Sequence, residues 1–380
     1  MSSPPALTLL IPGLIWPTAA LSDLTHDLAL PALCRLIDGG QRRTTPGRTL
    51  RTALAATLGL PPPLPSAAAR RLAFSLPADA NRWLCLDPVH LAFNERSLRI
   101  DDPAKLALSE EEAKALATAL TPVFADVGDI DVVRPDAWQL KLHQGITAPA
   151  TPALSERIGH RADDQLANLD RAWRQRLNEA QMILHAHPVN QAREAKGQPV
   201  ANSLWPWGDG ALPPVTGVSS SPVIHSNDPD LIGLARHLGR CAGAAPTSFK
   251  ELFASSAPNP GAPATAIGLA TLDLPARQAD AQDWREKLMA LEQDWFSPLY
   301  ESLIRGRLPS LQLELCGDTH CLQLVCLRSG LLLDRLRFWR AAPVAGGLAP
   351  CRFAHRWRSL GHRLDRACRA PRIGCNLLTC

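Results

Sequence analysis

The chain has 380 residues, of which 46% are hydrophobic, and a formal net charge of +4. This apolar fraction is ordinary for a packed globular protein, and the excess of arginine is concentrated after Pro350. The near-neutral remainder argues against a nucleic-acid scaffold, which would be basic throughout, and the lack of a run of about 18 apolar residues predicts no membrane-spanning helix.

The N-terminal part of the chain alternates apolar strands with helix signals. Ala6–Ile11 is a continuous apolar run before Pro-Gly, which predicts a buried parallel strand and not a signal peptide. Thr45 followed by Pro46 is typical of a helix start, and that helix should end near Gly59. The other elements predicted before residue 160 are a helix over 22–37, a strand, a proline-marked turn and a second strand over 81–93, a strand over 97–100, a helix over 109–124 with a capping box, and a half-buried strand over 137–142.

The C-terminal part continues this alternation and therefore predicts an α/β protein. Leu166, Leu169, Trp173, Leu177 and Leu184 follow a spacing of three and four residues, which predicts one helix over 163–187. The remaining predicted elements are a loop over 211–223, a helix over 228–238, a strand over 264–274, a helix over 280–305, and strands over 311–315 and 321–327 that form a hairpin.

One segment, HAHPVNQAREAKGQPVANSLWPWGDG over residues 185–210, combines imidazoles, an arginine and two indoles. His185 and His187 would point about 200° apart on a helix and could not share an ion there, so His187 is predicted to pack at the helix end and donate to a backbone carbonyl. The residues after Pro188 are predicted to form a turn-rich stretch, and Pro206 argues against a central strand.

The same segment has the ingredients of an anion pocket, although tryptophan-rich corners also occur in cores. The planar guanidinium of Arg193 suits a carboxylate or a phosphate, and Gly208 and Gly210 allow a close backbone approach. The residues predicted to bind a ligand are Asp87, His90, His187, Asn190, Arg193, Asn202, Trp205 and Trp207.

HPVNQAREAKGQPVANSLWPWGDG, together with WLCLDPVHLAF and LSEEEAKALATALTPVFAD, resembles the RpfE-like family of bacterial regulatory proteins. More remotely, these segments are similar to archaeal-type cofactor-independent phosphoglycerate mutases of the alkaline phosphatase superfamily. The resemblance spans residues 6–343 and implies a mostly parallel sheet flanked by helices, with an inserted α+β subdomain. LRFWRAAPV looks like the family's final strand.

The resemblance divides the chain into four parts. Residues 1–80 would form the first part of the α/β core, 81–210 the inserted subdomain, and 211–343 the second part of the core. Residues 344–380 form a basic tail rich in Arg and Cys, which could be a basic helix or the product of translation in a shifted frame.

Enzymes of that superfamily bind two divalent metals through an Asp after the first strand, a Ser or Thr nucleophile, and later Asp and His clusters. Here Pro12 stands where that Asp would be needed, so we expect no metal cofactor. Ser219, Ser220 and Ser221 could supply a hydroxyl, and the Asp-Thr-His at 318–320 has the wrong order for a late metal site. The five-residue spacing of Cys316, Cys321 and Cys326 matches no zinc pattern.

The sequence leaves three functions open. The first is a cytoplasmic regulatory or binding protein that recognises a phosphorylated or carboxylated metabolite or a protein partner, and neither nucleic acid nor membrane. The second is an active mutase or phosphatase that uses Arg193 and two Mn²⁺ or Zn²⁺ ions, with ligands drawn from Asp23, Asp27, Asp38, Asp228, Asp230, His225 and His237. The third is a metal-free acid–base enzyme that uses Asp87 and His90.

Overall fold

The computed structural model describes residues 5–15, 24–78, 82–94, 97–215, 222–255, 264–317 and 320–333. The strands in these ranges are β1 (Leu7–Leu10), β2 (Gln41–Pro46), β3 (Trp83–Val89), β4 (Leu91–Asn94), β5 (Ser97–Ile100), β6 (Gly128–Arg134), β7 (Ala137–Leu142), β8 (Ser203–Trp207), β9 (Val223–His225), β10 (Ala242–Gly243), β11 (Thr265–Gly268), β12 (Ser310–Leu315) and β13 (His320–Leu327). The α-helices are α1 (Pro31–Gly39), α2 (Leu50–Thr57), α3 (Ser66–Ala73), α4 (Glu110–Phe124), α5 (Asp163–Ala167), α6 (Arg171–Ala186), α7 (Pro188–Ala195), α8 (Pro229–His237), α9 (Phe249–Ser255), α10 (Asp273–Gln278), α11 (Ala281–Leu291) and α12 (Ser297–Ile304).

A mixed seven-stranded sheet has the order β10-β9-β11-β1-β12-β13-β2. Its first five strands are parallel, and β13 and β2 add an antiparallel edge. Alternate side chains of β1 enter two different cores: Leu7 and Leu9 pack with α1, α11 and α12, whereas Leu10 packs with α2 and α8. The predicted mostly parallel sheet flanked by helices is therefore confirmed.

A second sheet, in the order β6-β7-β3-β8, is antiparallel, and its strands all come from residues 83–207. One face packs on α4 and α6 around Trp138 and Trp173. The other face, with Trp205 and Trp207, contacts Ala67 of α3, while Ala69 of the same helix belongs to the core shared with α8. Helix α3 therefore joins the two sheets.

Several predicted elements are confirmed within the described ranges. These are the parallel strand at residues 7–10, the capping box of α4, the strands over 97–100 and 137–142, and the β12–β13 hairpin. The proposed final strand, the tail, and the serines at 219–221 lie outside the described residues. No helix in the described part of the chain is long and apolar enough to cross a membrane.

Other predictions were wrong where tertiary pairing overrides local signals. Thr45 and Pro46 do not open a helix, because residues 41–46 pair with β13, and the side chain of Thr49 instead caps α2. The strand predicted over 264–274 ends at Gly268, and a short 3-10 turn and α10 follow it. The helix predicted over 280–305 is confirmed, although a π-helical segment, Glu292–Phe296, separates α11 from α12 within it.

The long helix predicted over 163–187 is divided in two, because Asp170 caps a new helix by accepting the Trp173 N–H at 2.8 Å. His187 does not donate to a carbonyl; its Nδ1 accepts the Val189 N–H at 3.2 Å and caps α7, which replaces the predicted turn-rich stretch. Pro88 lies inside β3 and not in a turn, at a point where β8 is the neighbouring strand on one side and β7 no longer pairs.

The contact between α3 and α8 depends on Gly233. A Cβ at this position would lie 1.8 Å from the carbonyl oxygen of Ala69 and 2.7 Å from its carbonyl carbon. No side chain can occupy that space unless one helix moves. Backbone contact between the two helices thus requires glycine at position 233.

We expect Gly233→Ala to lower the free energy of unfolding by roughly 1–3 kcal/mol, because overpacking forces the backbones apart. Urea unfolding of the purified chain measures this loss. Gly243→Ala is the matched control, since its Cβ would make ordinary contact, 3.6 Å or more, with the His225 ring. Equal stability of the two variants would contradict the packing described here.

Candidate functional site

The parallel strands place polar side chains at their shared carboxyl edge, the usual ligand position in open α/β sheets. Asp228 follows β9, and Glu314 lies near the end of β12. Arg48, in the connection from β2 to α2, pairs with Glu314, and Arg51, in the first turn of α2, lies beside Asp228. We call the arginine–carboxylate contacts formed here the carboxyl-edge cluster: Arg48, Arg51, Asp228, Asp230 and Glu314. It combines two cations with three acids.

Arg51 is the buried half of this cluster. It is 5% exposed, forms an ion pair with the fully buried Asp230, and places a second nitrogen 3.5 Å from Asp228 Oδ2. It also donates to the Ser66 hydroxyl and lies 5.2 Å from the centre of the Trp207 ring. Because an unpaired buried guanidinium would be costly, the two aspartates are needed to keep Arg51 inside the protein.

The two aspartates ionise very differently. Burial and the charge of Asp230 raise the pKa of Asp228 to about 7, against the opposing attraction of Arg51. Burial also opposes ionisation of Asp230, but the attraction of Arg51 outweighs it and lowers the pKa of Asp230 below its ordinary value. Near neutral pH, Asp228 can therefore either donate or accept a proton beside an ionised Asp230.

The other half of the cluster is Arg48 with Glu314. Arg48 Nε donates to Glu314 Oε1 at 2.6 Å, and Gln323 Nε2 donates to Oε2 at 3.2 Å. Glu314 is 2% exposed whereas the Arg48 side chain is 31% exposed, so the guanidinium faces both the protein and solvent.

Two thiols lie next to Glu314. Cys316 and Cys321 are 4% and 0% exposed, and their sulfurs and a Glu314 oxygen all lie within 4.8 Å of one another. A hydrogen bond from the Cys316 thiol, helped by the Gly317 backbone N–H, lowers the pKa of Cys321 to about 6 despite its burial. The same hydrogen bond, burial and the Glu314 charge raise the pKa of Cys316.

The residues predicted to bind a ligand lie in separate parts of the structure, and two of them, Asp87 and Trp207, lie near the carboxyl-edge cluster. Asp87 is 1% exposed and accepts from Arg70 at 2.6 and 3.0 Å and from the Trp207 indole at 2.8 Å. The Trp207 ring lies 4.9 Å from the Arg70 guanidinium and 5.2 Å from that of Arg51. Trp207 thus contacts Arg51 of the carboxyl-edge cluster, and Asp87 holds the neighbouring Arg70 in place.

Asn190 and Arg193 bind the chain itself. Asn190 Nδ2 donates to the carbonyl oxygens of Leu184 and Ala201, both at 2.8 Å. Arg193 donates to the Pro199 carbonyl at 2.9 Å and to Glu112 at 2.8 Å, and it also bonds the Leu106 carbonyl. These hydrogen bonds hold α7 against the segment that leads into β8 and against α4.

Three further predicted residues make local contacts. His90 Nδ1 is bonded to the Val200 carbonyl at 2.8 Å, and Asn202 pairs with the backbone N–H and C=O of Leu91 at 2.7 and 3.0 Å. The Trp205 indole donates to the Pro152 carbonyl at 3.0 Å. His187, as described above, caps α7. Ligand binding by His90, His187, Asn202 and Trp205 stays a prediction. The proposed acid–base pair of Asp87 and His90 also stays a prediction.

A cavity lies next to Pro88 of β3 and the segment that precedes α4. Its volume is about 220 Å³, below the roughly 300–1,000 Å³ typical of ligand pockets. It is lined by Pro88, Pro103, Ala104, Leu106, Ala107, Leu108, Arg134, Pro135 and Asp136. Leu106 lines this cavity, and its carbonyl oxygen accepts a hydrogen bond from Arg193.

The acids and imidazoles considered as ligands for two metals are dispersed or paired with cations. Asp27 pairs with Arg285 at 2.7 Å, and His225 and His237 bond backbone carbonyls at 3.0 and 2.8 Å. Asp23 lies outside the described residues, and Asp38 lies 3.8 Å from Arg42. In the ranges that the structure describes, three or more potential ligands converge at Glu314, Cys316 and Cys321 alone, a donor set that does not fit two hard divalent ions.

Sequence reasoning missed most of this region. Arg51, Arg70 and Glu314 carry no motif, and their pairing depends on how the sheets and α3 pack. The thiol pair had a usable signal: once 311–327 is read as a hairpin, Cys316 and Cys321 fall opposite each other across its turn.

No family model matches the sequence, and no curated protein matches it either. Among solved structures, a cofactor-independent phosphoglycerate mutase from Thermoplasma acidophilum DSM 1728 is 15% identical, with a TM-score of 0.41 over 85% of this chain and 90% of that one. The PH0037 protein from Pyrococcus horikoshii is 13% identical, with a TM-score of 0.49 over 90% and 99% of the two chains. The α/β class of this protein rests on its own strand pairing.

Replacing Asp87 tests the buried ion pair. We expect Asp87→Asn to cost roughly 3–5 kcal/mol of unfolding free energy, because Arg70 would keep its charge with no carboxylate to balance it. Chemical denaturation gives the value. Glu110→Gln, at an exposed pair 3.5 Å from Lys114, should cost less than about 1 kcal/mol; a similarly small loss for Asp87→Asn would refute the buried pair.

Replacing Asp228 tests its raised pKa. A carboxyl that holds its proton more tightly in the folded chain favours folding at acidic pH, and this contribution is lost as the pH rises through about 7. Between pH 5 and 8 the wild-type chain should therefore lose roughly 1–4 kcal/mol of stability relative to Asp228→Asn. Asp230 stays ionised over this interval and adds no slope.

Urea unfolding at several pH values measures that difference. Asp126→Asn is the control, because Arg176 lowers the pKa of Asp126 and its carboxylate stays ionised throughout. The Asp126 difference should be flat with pH. A flat Asp228 difference would mean that Asp228 has an ordinary pKa.

Proposed function

We propose that the protein is a regulatory or binding protein with a phosphoglycerate-mutase-like fold, related to the RpfE-like regulatory proteins, in which two-metal phosphoryl transfer has been lost. Its ligand would be a small phosphorylated or carboxylated metabolite bound at the carboxyl edge of the parallel sheet. It would act in the cytoplasm, through the metabolite itself or through a protein partner that senses it.

The observation that carries this proposal is the presence of arginines among the acids of the carboxyl-edge cluster. Arg51 is paired with Asp230, and Arg48 with Glu314, so these carboxylates already balance guanidinium groups. A divalent metal would have to displace these guanidinium groups from their carboxylates. An anionic ligand would instead meet the exposed part of the Arg48 guanidinium.

Two groups of the cluster are accessible enough to meet a ligand. Arg48 is 31% exposed and offers a planar fork that matches a phosphate or a carboxylate. Asp228 is 24% exposed, and with a pKa of about 7 its carboxyl can donate a hydrogen bond to an anionic oxygen at neutral pH. Asp87 and Trp207 would act indirectly, because they contact Arg70 and Arg51 and keep these two side chains in place.

Calorimetric titration of the full chain with 3-phosphoglycerate, 2-phosphoglycerate and inorganic phosphate tests the binding step. We expect at least one of these anions to bind, and Arg48→Gln to weaken its binding about tenfold or more, since a charge-assisted contact is lost. Arg305→Gln removes a surface arginine paired with Glu301 and should leave binding unchanged. Binding that is indifferent to Arg48, or no binding of any of the three, would reject this site.

A coupled assay for conversion of 3- to 2-phosphoglycerate, with Mn²⁺ or Zn²⁺ added, tests the loss of catalysis. We expect no turnover above the rate without protein. Metal-dependent turnover would instead support the active mutase or phosphatase and would end the proposal that catalysis is lost.

A further inference from the structure

The β12–β13 hairpin assembles a donor set of which the anion-binding proposal uses Glu314 alone and neither thiol. Glu314 pairs with Gln323 and Leu315 with Leu322, so Cys316 and Cys321 stand opposite each other one position further along. Cys316 directly follows β12, two positions after Glu314, and side chains two positions apart along extended backbone lie on the same face. The hairpin register therefore brings a carboxylate and two thiols to one point.

The distances suit a single ion. One ligand atom from each of Glu314, Cys316 and Cys321 lies within 4.8 Å of the other two, and all three residues are buried. Zinc takes thiolates at about 2.3 Å and carboxylate oxygens at about 2.0–2.2 Å, so small side-chain movements would complete the shell. Soft sulfur donors favour such an ion over Mg²⁺ or Mn²⁺.

The surroundings also balance the charge. Two thiolates and a carboxylate carry three negative charges, which a divalent ion and the Arg48 guanidinium together neutralise. Arg48 already orients Glu314 through Oε1, at 2.6 Å, and Gln323 holds Oε2 by the longer bond of 3.2 Å. Outer partners of this kind fix a carboxylate for metal binding, and Oε2 is the oxygen more easily given to an ion.

We propose that Glu314, Cys316 and Cys321 form a binding site for one thiophilic divalent cation, with Zn²⁺ the best match. Three protein donors leave a fourth position for water or an external ligand. The site shares Glu314 and its partner Arg48 with the carboxyl-edge cluster, but its thiols play no part in the anion-binding proposal. It differs from a two-metal phosphoryl-transfer centre in both its ligands and its ion count.

The test uses the full chain, reduced, freed of metal with a chelator, and then titrated with Zn²⁺ and with Co²⁺. We expect one tightly bound ion per chain, a thiolate-to-cobalt charge-transfer absorption, and a rise in melting temperature with Zn²⁺. Cys316→Ser and Cys321→Ser should each abolish the cobalt band and lower Zn²⁺ affinity at least about 100-fold. Glu314→Gln should lower it about 10- to 100-fold.

Two controls separate this site from other cysteines. Cys241→Ser removes an exposed thiol and should keep the metal. A full-length chain with Cys351, Cys368, Cys375 and Cys380 all changed to Ser should also keep it. If the serine variants of the site fail to fold, alkylation of the wild-type chain in partly denaturing urea, where the buried thiols become accessible, gives the answer. Zn²⁺ should slow the reaction of Cys316 and Cys321 and leave that of Cys241 unchanged.

Three results would overturn the proposal. One is a bound ion that persists in both Cys316→Ser and Cys321→Ser. Another is a reduced chain that binds no Zn²⁺ at micromolar concentrations. The third is a Cys316–Cys321 disulfide in the purified protein together with no metal uptake after reduction, which would assign the pair to redox chemistry. Loss or survival of anion binding does not bear on any of them.

Discussion

Burial of positive charge at helix α3 and its neighbours is the constraint on which the rest of the structure depends. Arg51, Arg70 and Arg71 are all less than 10% exposed. Removing such ions from water costs several kcal/mol each unless carboxylates and hydrogen bonds compensate. Asp87 of β3 compensates Arg70 of α3, and Asp230 of α8 compensates Arg51 of α2, so the two ion pairs hold α3 to the second sheet and α2 to α8.

This charge balance also determines what the carboxyl edge can do. Asp230 neutralises the buried Arg51, and a hard divalent ion would have to break this pair to use Asp230 as a ligand. The same arrangement leaves Arg48 partly exposed and Asp228 close to its midpoint of titration at neutral pH. These features are the basis of our proposal that the edge binds an anion, and the thiols beside Glu314 add a softer donor set.

Local patterns predicted the fold well where one signal dominated. The apolar run at residues 7–10, the Ser109 capping box and the β12–β13 hairpin needed no tertiary information. Asp87, Arg193 and Trp207 were predicted to bind a ligand, and in the structure each makes hydrogen bonds to neighbours inside the chain. The cluster itself could not be predicted, because Arg51 and Asp230 are 179 positions apart and meet only when α2 and α8 come together in the folded chain.

The most direct test of the central claim is a crystal structure of the full chain grown with Mn²⁺ and 3-phosphoglycerate, with metals located by anomalous scattering. Our account predicts an anion in contact with Arg48 and no pair of metal ions at the carboxyl edge. Two Mn²⁺ ions roughly 3.5–4 Å apart, held there by Asp or His side chains, would contradict it.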